Sequence, residues 1–357
     1  MRVIQVLTTV SYGDAVSNDA LSLHDILTKH GYSSSIYAEN IDKRIPEGTV
    51  LPFRSLQDIS KKDIIIYHLS TGTILNYWIQ KQNCRKIMIY HNITPPEFFD
   101  GYSSVSVGLC SRGLHEAKML NGTFDYVLAD SEFNKQDLIR MGYECPIDVL
   151  PILIPFDDYH QLPDENVLKK YNDDWVNIIF VGRIAPNKKQ EDIIATFKCY
   201  HNYYNPKSRL FLVGSYSGME AYHARLEEYT RKLEAEHVIF TGHIRFQEIL
   251  AYYHLADVFL CMSEHEGFCV PLVEAMEFQI PIIAYDSCAI KYTLGGSGLL
   301  LESKEPMEVA AVVHRVITEE HLKTTMLMNQ SERRKDFDHS IVENQFIDCL
   351  KKYMKRR

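Results

Sequence analysis

Residues 263–276 read Ser-Glu-His-Glu-Gly-Phe-Cys-Val-Pro-Leu-Val-Glu-Ala-Met, and this stretch decides the fold. The apolar segment 255–262 that precedes it is typical of a buried strand, and the segment 281–285 that follows it is typical of the next strand. A strand, a turn, a helix and a second strand within about thirty residues have the size of one βαβ unit. The pattern therefore predicts a parallel sheet covered by helices, with the chemistry in the turn.

The turn carries two carboxylates that suit a sugar or a ribose. Gly267 lets the backbone approach a ligand closely, and Pro271 fits the first turn of a helix. Glu266 in the turn and Glu274 in the first helical turns can then face one polar ligand, because ionised carboxylates accept the hydrogen bonds that sugar hydroxyls donate. The alternative is that these acids are a solvated helix start, stabilised by the helix dipole.

Bulk properties set the class of protein. A chain of 357 residues is too long for one ordinary core and predicts two domains. The formal net charge of -9 argues against a general nucleic-acid binder, and no apolar run approaches the length of a membrane span. The eight cysteines contain no C-x-x-C pair, which predicts a reduced, cytoplasmic protein without a zinc site.

The first strand, expected over 3–7, leads into a turn of small residues that holds Gly13 and Asp14. The dinucleotide fingerprint G-x-G-x-x-G is absent here, because the turn has a single glycine. Asp14 would repel phosphate. We therefore expect this turn either to touch hydroxyl groups or to cap the following helix.

Two further predicted strands, 63–68 and 86–91, end in His68 and His91. A single histidine at such a position is commonly structural, but two at matching strand ends favour a function, since ligands of parallel sheets bind there. A later strand that begins at Tyr126 runs into a helix for which Ser131 is the expected cap. Strand and helix patterns thus alternate through the first half and predict an α/β fold with a parallel sheet.

The pattern restarts in the second half with a strand over 176–181, followed by Gly182, Arg183 and Lys188. Two cations and a helix amino terminus can hold a diphosphate there, whereas the alternative is a solvated basic loop. Two more strands end in glycine turns, at Gly214 and just before His243 and Ile244. These turns either let a nucleotide pass close to the backbone or only mark chain reversals.

The ordered motifs resemble those of retaining glycosyltransferases of family four, also called glycosyl transferases group 1. Glu266 and Glu274 look like the family's E-x7-E motif, and residues 182–188 resemble its G-R-x-x-x-x-K diphosphate segment. The resemblance implies a GT-B architecture, in which two Rossmann-like α/β domains with parallel sheets face each other across a cleft. It places an acceptor-side domain at 1–160, a nucleotide-sugar-binding domain at 161–335, and a last helix at 336–357 that packs back on the first domain.

The resemblance also implies roles for single residues. His91, Arg183, Lys188 and Glu266 are implied as catalytic: Arg183 and Lys188 neutralise the diphosphate, and His91 touches the donor sugar. The implied donor-binding residues are Gly13, Asp14, Gly182, Arg183, Lys188, Gly214, His243, Ile244, Glu266, Gly267, Phe268, Cys269, Val270 and Glu274. Two departures stand out, since Lys189 lies where the family commonly has a glycine, and Gly13-Asp14-Ala15 replaces a double-glycine loop.

The implied reaction moves a hexose from a nucleotide-diphosphate sugar of the UDP, GDP or dTDP type to a glycan or lipid-linked acceptor in surface polysaccharide synthesis. No cofactor, metal or nucleic-acid partner is expected. The basic tail 351–357 suggests peripheral contact with the inner membrane face of a cytoplasmic protein. The alternatives are a phosphorylase or sugar-nucleotide epimerase of the same architecture, and a catalytically silent subunit that binds a sugar nucleotide.

Overall fold

The computed structural model describes residues 1–355, which form two compact units. The first unit contains residues 1–96 and 105–155 together with the chain from Asp336 onward. The second unit contains residues 97–104 and 156–335. The polypeptide therefore passes briefly into the second unit at residues 97–104, enters it again after Pro155 and returns to the first unit after Lys335.

The first unit is built on a parallel sheet of seven strands, in the order β3-β2-β1-β4-β5-β6-β7. Its strands are β1 (Arg2–Val10), β2 (Ser33–Ile41), β3 (Leu51–Pro52), β4 (Ile64–Leu69), β5 (Arg85–Tyr90), β6 (Tyr126–Ala129) and β7 (Ile147–Val149). The helices between them are α1 (Ala15–Lys29), α2 (Leu75–Gln80), α3 (Ser104–Met119) and α4 (Glu132–Arg140).

The second unit has a parallel sheet of six strands, in the order β10-β9-β8-β11-β12-β13. Its strands are β8 (Val176–Val181), β9 (Ser208–Val213), β10 (Val238–Gly242), β11 (Val258–Cys261), β12 (Ile282–Tyr285) and β13 (Leu299–Leu301). Its helices are α5 (Glu165–Tyr171), α6 (Gln190–Tyr203), α7 (Glu220–Lys232), α8 (Phe246–Leu255), α9 (Val270–Glu277), α10 (Ile290–Leu294), α11 (Pro306–Thr318) and α12 (Glu320–Lys335).

The last helix, α13 (His339–Lys355), packs in the core of the first unit. Its residues Val342, Phe346 and Leu350 lie in one apolar cluster with Val3 and Ile64, which belong to the central strands. The buried Glu343 carboxylate also accepts hydrogen bonds from Lys29 at 2.8 Å and His30 at 2.9 Å. This face of the sheet is therefore covered jointly by α1 and α13.

Alternation along the strands assigns side chains to the two faces of the first sheet. Ile64 and Ile66 of β4 point to the cluster that contains α13, whereas Ile65 and Tyr67 pack against the opposite cluster, which contains residues of α2, α3 and α4. A strand with buried residues at every position reads as a continuous apolar run, as is usual in parallel sheets covered on both sides.

The order of strands reverses once in each sheet, between β1 and β4 and between β8 and β11. In open parallel sheets ligands bind outside the carboxyl ends of the strands at such a reversal. The turns that follow β1, β4, β8 and β11 are therefore the places where function is expected.

Most sequence-based predictions of elements are confirmed. The strand at 176–181 has the predicted bounds, and the side chain of Ser131 caps α4 by accepting a hydrogen bond from the Asn134 amide at 3.2 Å. Pro271 lies in the first turn of α9. No helix within residues 1–355 is both long and apolar enough to cross a membrane. Of the basic tail, Arg356 and Arg357 lie outside the described residues, and Lys352 forms an ion pair with Asp148 at 2.6 Å.

Asp14 is the amino-terminal cap of α1. Its Oδ2 accepts hydrogen bonds from the amide of Ser17 at 3.0 Å and from the Ser17 hydroxyl at 2.8 Å. We expect Asp14→Ala to lower the free energy of unfolding by about 1 kcal/mol, since it removes a cap. Asp14→Asn is the matched control and should retain most of that stability in a denaturant titration. Equal stability of Asp14→Ala and the parent protein would contradict the capping role.

Candidate active site

The turns after β8 and β11 are joined by main-chain and side-chain hydrogen bonds at the strand reversal of the second sheet. The amide of Glu264 donates to the carbonyl oxygen of Asn187 at 2.8 Å, and the Asn187 side chain donates to the carbonyl oxygen of His265 at 3.0 Å. Asn187 is 5% exposed, so both bonds are shielded from water. The two turns are therefore held as one structure.

Lys188 and Glu266 form a direct ion pair across these turns. The Lys188 Nζ lies 2.6 Å from Glu266 Oε2, and the two side chains are 21% and 7% exposed. Burial alone would lower the pKa of Lys188, but the charge of the Glu266 carboxylate outweighs it and raises that pKa above its ordinary value. The site thus holds one permanent cation beside one hydrogen-bond acceptor.

A second layer of charges lies behind this pair. Lys304 bridges Glu264 at 2.8 Å and Asp192 at 3.0 Å, and Lys189 contacts Glu264 at 3.3 Å. Lys189 has a φ of 53°, a left-handed conformation that glycine adopts without strain. This conformation gives a physical reason why a glycine would suit the position, although a lysine occupies it in this chain.

Gly182 after β8 and Gly214 after β9 allow two backbone segments to lie in close contact. Gly214 lies so close to Gly182 that a Cβ built on Gly214 would be 2.0 Å from the carbonyl oxygen of Gly182, which no side chain can accept. Arg183 extends from this point, and its guanidinium donates to the carbonyl oxygen of Ser217 at 3.1 Å. After β10, His243 is exposed and Ile244 is half-buried.

Glu274 is held by two tyrosines. Tyr159 donates to its Oε1 at 2.7 Å and Tyr253 donates to its Oε2 at 2.5 Å. Burial raises the pKa of Glu274, and the two tyrosine hydroxyls oppose that shift. Each carboxylate oxygen has two lone pairs, so each can still accept one bond from a ligand hydroxyl. The tyrosines were not predicted from the sequence, because Tyr159 lies before the first α-helix of the second unit and Tyr253 within a helix whose pattern indicates only packing.

Cys269 and Val270 begin α9, directly after Gly267 and Phe268. Cys269 has a φ of 72°, a left-handed conformation, and is 9% exposed, while Phe268 is 4% exposed. Phe268, Cys269 and Glu266 of this turn are therefore all buried.

In the first unit, His91 is part of a buried chain of hydrogen bonds. Gln5 donates to the carbonyl oxygen of Ala20 at 2.9 Å, so its amide oxygen accepts from His68 Nε2 at 2.9 Å. The Nδ1 of His68 must then accept from His91 Nε2, which lies 2.8 Å away. His91 Nδ1 in turn faces Asp130 Oδ2 at 2.9 Å. Both ring nitrogens of His91 are therefore engaged within the protein.

This network explains the directions of the pKa shifts. Burial lowers the pKa of His68 well below its usual value and also disfavours the charge on His91, but Asp130 reverses the latter effect and raises the pKa of His91. The side chain of His91 is 1% exposed, although the residue as a whole is half-buried, so its accessible part is the main chain. Asp130 directly follows β6 as His91 directly follows β5, a placement that could have identified it from the sequence.

Asp19 adds a pH-sensitive group to the same network. Burial raises the pKa of Asp19 to about 7, although the charge of His91 opposes the shift. An aspartate in the unfolded chain has a pKa of about 4, so between these values the folded state binds the extra proton and stability falls as pH rises. We expect the Asp19→Asn protein to lack this fall while keeping the bond that Asp19 Oδ1 accepts from the Leu153 amide at 2.9 Å. Urea titrations from pH 4.5 to about 7.5 measure the free energy of unfolding of both proteins. If that free energy changes with pH in the same way in both, the assignment to Asp19 is wrong.

The predicted site residues thus fall into separate groups. Lys188 and Glu266 are joined directly, whereas Arg183 bonds to the Ser217 loop and Glu274 to its tyrosines. Gly13, Asp14 and His91 belong to the first unit. Gly13 has a φ of 76°, which glycine tolerates, and it precedes the α1 cap.

Comparisons with known proteins assign the family. Residues 164–335 match the family described as glycosyl transferases group 1. O-antigen chain mannosyltransferase B of Escherichia coli is 22% identical over 287 residues, which cover 77% of this chain and 72% of that protein. A GDP-mannose-dependent alpha-mannosyltransferase of Mycobacterium tuberculosis (strain CDC 1551 / Oshkosh) is 26% identical over 317 residues, which cover 82% and 75%.

Solved structures share the fold over the whole chain. Sucrose-phosphate synthase from Thermosynechococcus elongatus superposes with a TM-score of 0.77 at 17% identity and covers all of both chains. Anabaena HepE, solved in complex with UDP-glucose, gives a TM-score of 0.76 at 18% identity and covers 99% of this chain and 100% of its own. Two parallel sheets with alternating helices, these neighbours and the matched segment lead to one conclusion: the chain is a glycosyltransferase with the GT-B fold, and its residues 164–335 belong to the glycosyl transferases group 1 family.

Proposed function

We propose that this protein is a retaining hexosyltransferase that moves a hexose from a nucleotide-diphosphate sugar to a hydroxyl group of a glycan or glycolipid acceptor. The observation that carries the proposal is the Lys188–Glu266 pair at the strand reversal of the second sheet. The ammonium suits a diphosphate, and the carboxylate suits the hydroxyl groups of a sugar. In the proposal the second unit binds the donor and the first unit binds the acceptor.

Charge development determines the roles of the side chains. Breaking the bond between sugar and phosphate places negative charge on the leaving diphosphate and positive charge on the sugar ring. Preorganised cations at the diphosphate therefore stabilise the transition state more than the ground state. Arg183 and Lys188 are proposed to supply those cations without a metal ion. Glu266, with the amides of Gly267 and Phe268, is proposed to hold the sugar hydroxyls.

The proposal assigns no protein nucleophile and no general base. The acceptor enters on the face of the leaving group, and a phosphate oxygen of the donor takes its proton. The engaged ring nitrogens of His91 support this assignment, because the ring offers no lone pair to an acceptor hydroxyl. We propose that His91 meets the donor sugar through its accessible main chain.

The relatives narrow the proposed substrates. The Escherichia coli protein is an O-antigen chain mannosyltransferase, and the Mycobacterium protein is GDP-mannose-dependent. HepE was solved with UDP-glucose. We therefore propose mannose or glucose as the transferred sugar and surface polysaccharide assembly as the process, with GDP-mannose as the first donor to test.

Glu274 is proposed to bind the ribose of the donor. Glu274→Gln keeps the shape and the contact with both tyrosines but loses one acceptor oxygen. We expect it to weaken nucleoside diphosphate binding roughly tenfold, the effect of one charge-assisted hydrogen bond. Glu266→Gln is the control and should bind the nucleotide normally while losing transfer. Calorimetric titration with GDP and UDP measures both affinities, and the opposite pattern would exchange the two roles.

The experiment that tests the function begins with a thermal-shift panel of UDP-, GDP- and dTDP-sugars. A donor at 100 times its dissociation constant should stabilise the fold by about 2.7 kcal/mol. The donor that shifts the melt is then supplied with acceptor glycans in the presence of a chelator, and the anomeric configuration of the product is read by NMR. Retained configuration and full activity with chelator support the proposal. Inversion, or release of a sugar phosphate that depends on inorganic phosphate, refutes it.

A further inference from the structure

Two cysteines and a glutamate converge beneath the turn of residues 263–276. Cys261 ends β11, Glu266 lies in the turn, and Cys269 caps α9. One ligand atom from each of these residues lies within 4.8 Å of the other two, and all three residues are buried. Cys261 Sγ also donates a hydrogen bond to Ser263 Oγ at 3.4 Å. The proposed transfer reaction uses Glu266 but does not need the two cysteines beside it.

The distances suit a tetrahedral thiophilic metal ion. Zinc binds cysteine sulfur at about 2.3 Å and carboxylate oxygen at about 2.0–2.2 Å, which places two ligand sulfurs about 3.8 Å apart. Ligand atoms that already lie within 4.8 Å need small side-chain rotations to reach that arrangement. Two sulfurs and one oxygen leave a fourth position for water, as in sites that are not purely structural.

Charge balance also favours a divalent metal ion at this site. Glu266 is paired with the Lys188 ammonium at 2.6 Å, so the carboxylate and the ammonium cancel. A divalent ion that binds both cysteines as thiolates releases two protons, and the net charge of the buried group does not change. A buried site accepts such an exchange more readily than it accepts an uncompensated charge.

The backbone of Cys269 is a second, independent observation. A residue with a side chain adopts its φ of 72° only at an energetic cost, whereas a glycine would adopt it without strain. Strained backbone at a site in a turn is a recognised indication of function. Here the strain places the Cys269 sulfur beside that of Cys261, which a glycine could not do.

We propose that Cys261, Cys269 and Glu266 form a binding site for a thiophilic divalent metal ion of the zinc class, and that the bound ion inhibits transfer by drawing Glu266 away from Lys188. The binding reaction is the exchange of one divalent ion for two thiol protons, without oxidation or reduction. The binding site goes beyond the proposed function, whereas its inhibitory effect rests on it.

Binding is tested with cobalt(II) added to the reduced, metal-free full chain. We expect one equivalent to produce the near-ultraviolet absorption of cobalt–thiolate bonds, zinc to remove it by competition, and two protons to be released per ion in a weakly buffered solution. Cys261→Ser and Cys269→Gly should each abolish the absorption. Cys288→Ser is the matched control, because this thiol lies in a neighbouring turn but outside the three-residue group, and it should leave the absorption unchanged.

Cys269→Gly also separates loss of the site from loss of the fold. Because the relief of left-handed strain offsets the lost burial of the Cys269 side chain, this variant should remain folded and melt close to the parent protein. A folded Cys269→Gly protein without the cobalt–thiolate absorption therefore supports the site. Absorption that persists in both Cys261→Ser and Cys269→Gly, or that is missing from the parent protein, overturns it.

Inhibition is tested on transfer activity. Stoichiometric zinc should lower the rate of the parent protein at least tenfold, a chelator should restore it, and Cys261→Ser should keep its basal activity and be insensitive to zinc. Zinc that binds but leaves the rate unchanged refutes the inhibitory role alone. If no nucleotide sugar supports transfer at all, the proposed function fails, while the cobalt titration still decides the metal site.

Discussion

Replacing Arg183 with alanine is expected to lower turnover by about 10²-fold or more, the scale of losing one preorganised donor to developing charge. The melting temperature should stay unchanged. The guanidinium makes an exposed hydrogen bond to the carbonyl oxygen of Ser217, so its removal leaves no buried charge unpaired. Initial rates with the donor found by thermal shift, together with melts of both proteins, measure the two effects.

Arg183→Lys is the matched control for this prediction. Lysine keeps the positive charge but loses the planar fork of donors, so the rate should fall between those of the parent protein and Arg183→Ala. Near-normal transfer by Arg183→Ala would remove this residue from the diphosphate site and leave Lys188 as its main cation.

Lys188→Ala is expected to affect both turnover and stability. Turnover should again fall by about 10²-fold or more. In addition, Glu266, which is 6% exposed, loses its partner at 2.6 Å and is left as a buried carboxylate without its counter-ion. Breaking such a pair lowers the free energy of unfolding by up to roughly 3 kcal/mol. The loss is smaller than for a fully buried pair, because part of the Lys188 side chain reaches water. Denaturant titration and initial rates measure the two losses separately.

The double variant Lys188→Ala with Glu266→Gln tests whether the stability loss of Lys188→Ala comes from the unpaired Glu266 carboxylate. The neutral amide no longer needs a cation, so stability should recover most of the loss. Transfer should be lost, as it is expected to be in Glu266→Gln alone. Recovery of transfer together with stability would contradict the proposed roles of both Lys188 and Glu266 in the reaction. Failure of the amide to restore any stability would instead show that the ion pair is not the source of the loss.

The sequence predicted the second half of the chain more completely than the first. The strand 176–181 and the start of α9 near Pro271 were predicted in the second half, and the Ser131 cap in the first, because each depends on local pattern or on a residue with one strong preference. Strand β2 was not predicted, since Ser33–Ile41 mixes polar and apolar residues without a clear period. Its position is decided by pairing with β1 rather than by its own side chains.

The candidate site was likewise predicted only in part. The sequence placed Lys188 and Glu266 in two turns at strand ends, and the parallel order of β8 and β11 brings those turns together. It did not predict that Asp14 caps a helix rather than meets a ligand, because both readings use the same residue types in the same turn. The partners of Glu274 and the convergence of Cys261 with Cys269 depend on packing between elements. The hydrophobic periodicity of a single segment does not predict such packing.

The position of α13 has a consequence for biosynthesis. Its apolar face completes a core whose other buried members lie between Val3 and Leu153, so the 180 residues from Phe156 to Lys335 must emerge from the ribosome before that core can close. The second unit, from Phe156 to Lys335, has nearly all its residues available sooner. Translation should therefore yield a finished carboxyl-terminal half while the amino-terminal sheet still awaits its final helix, and nascent chains arrested before residue 339 should be digested by protease mainly in their first 155 residues.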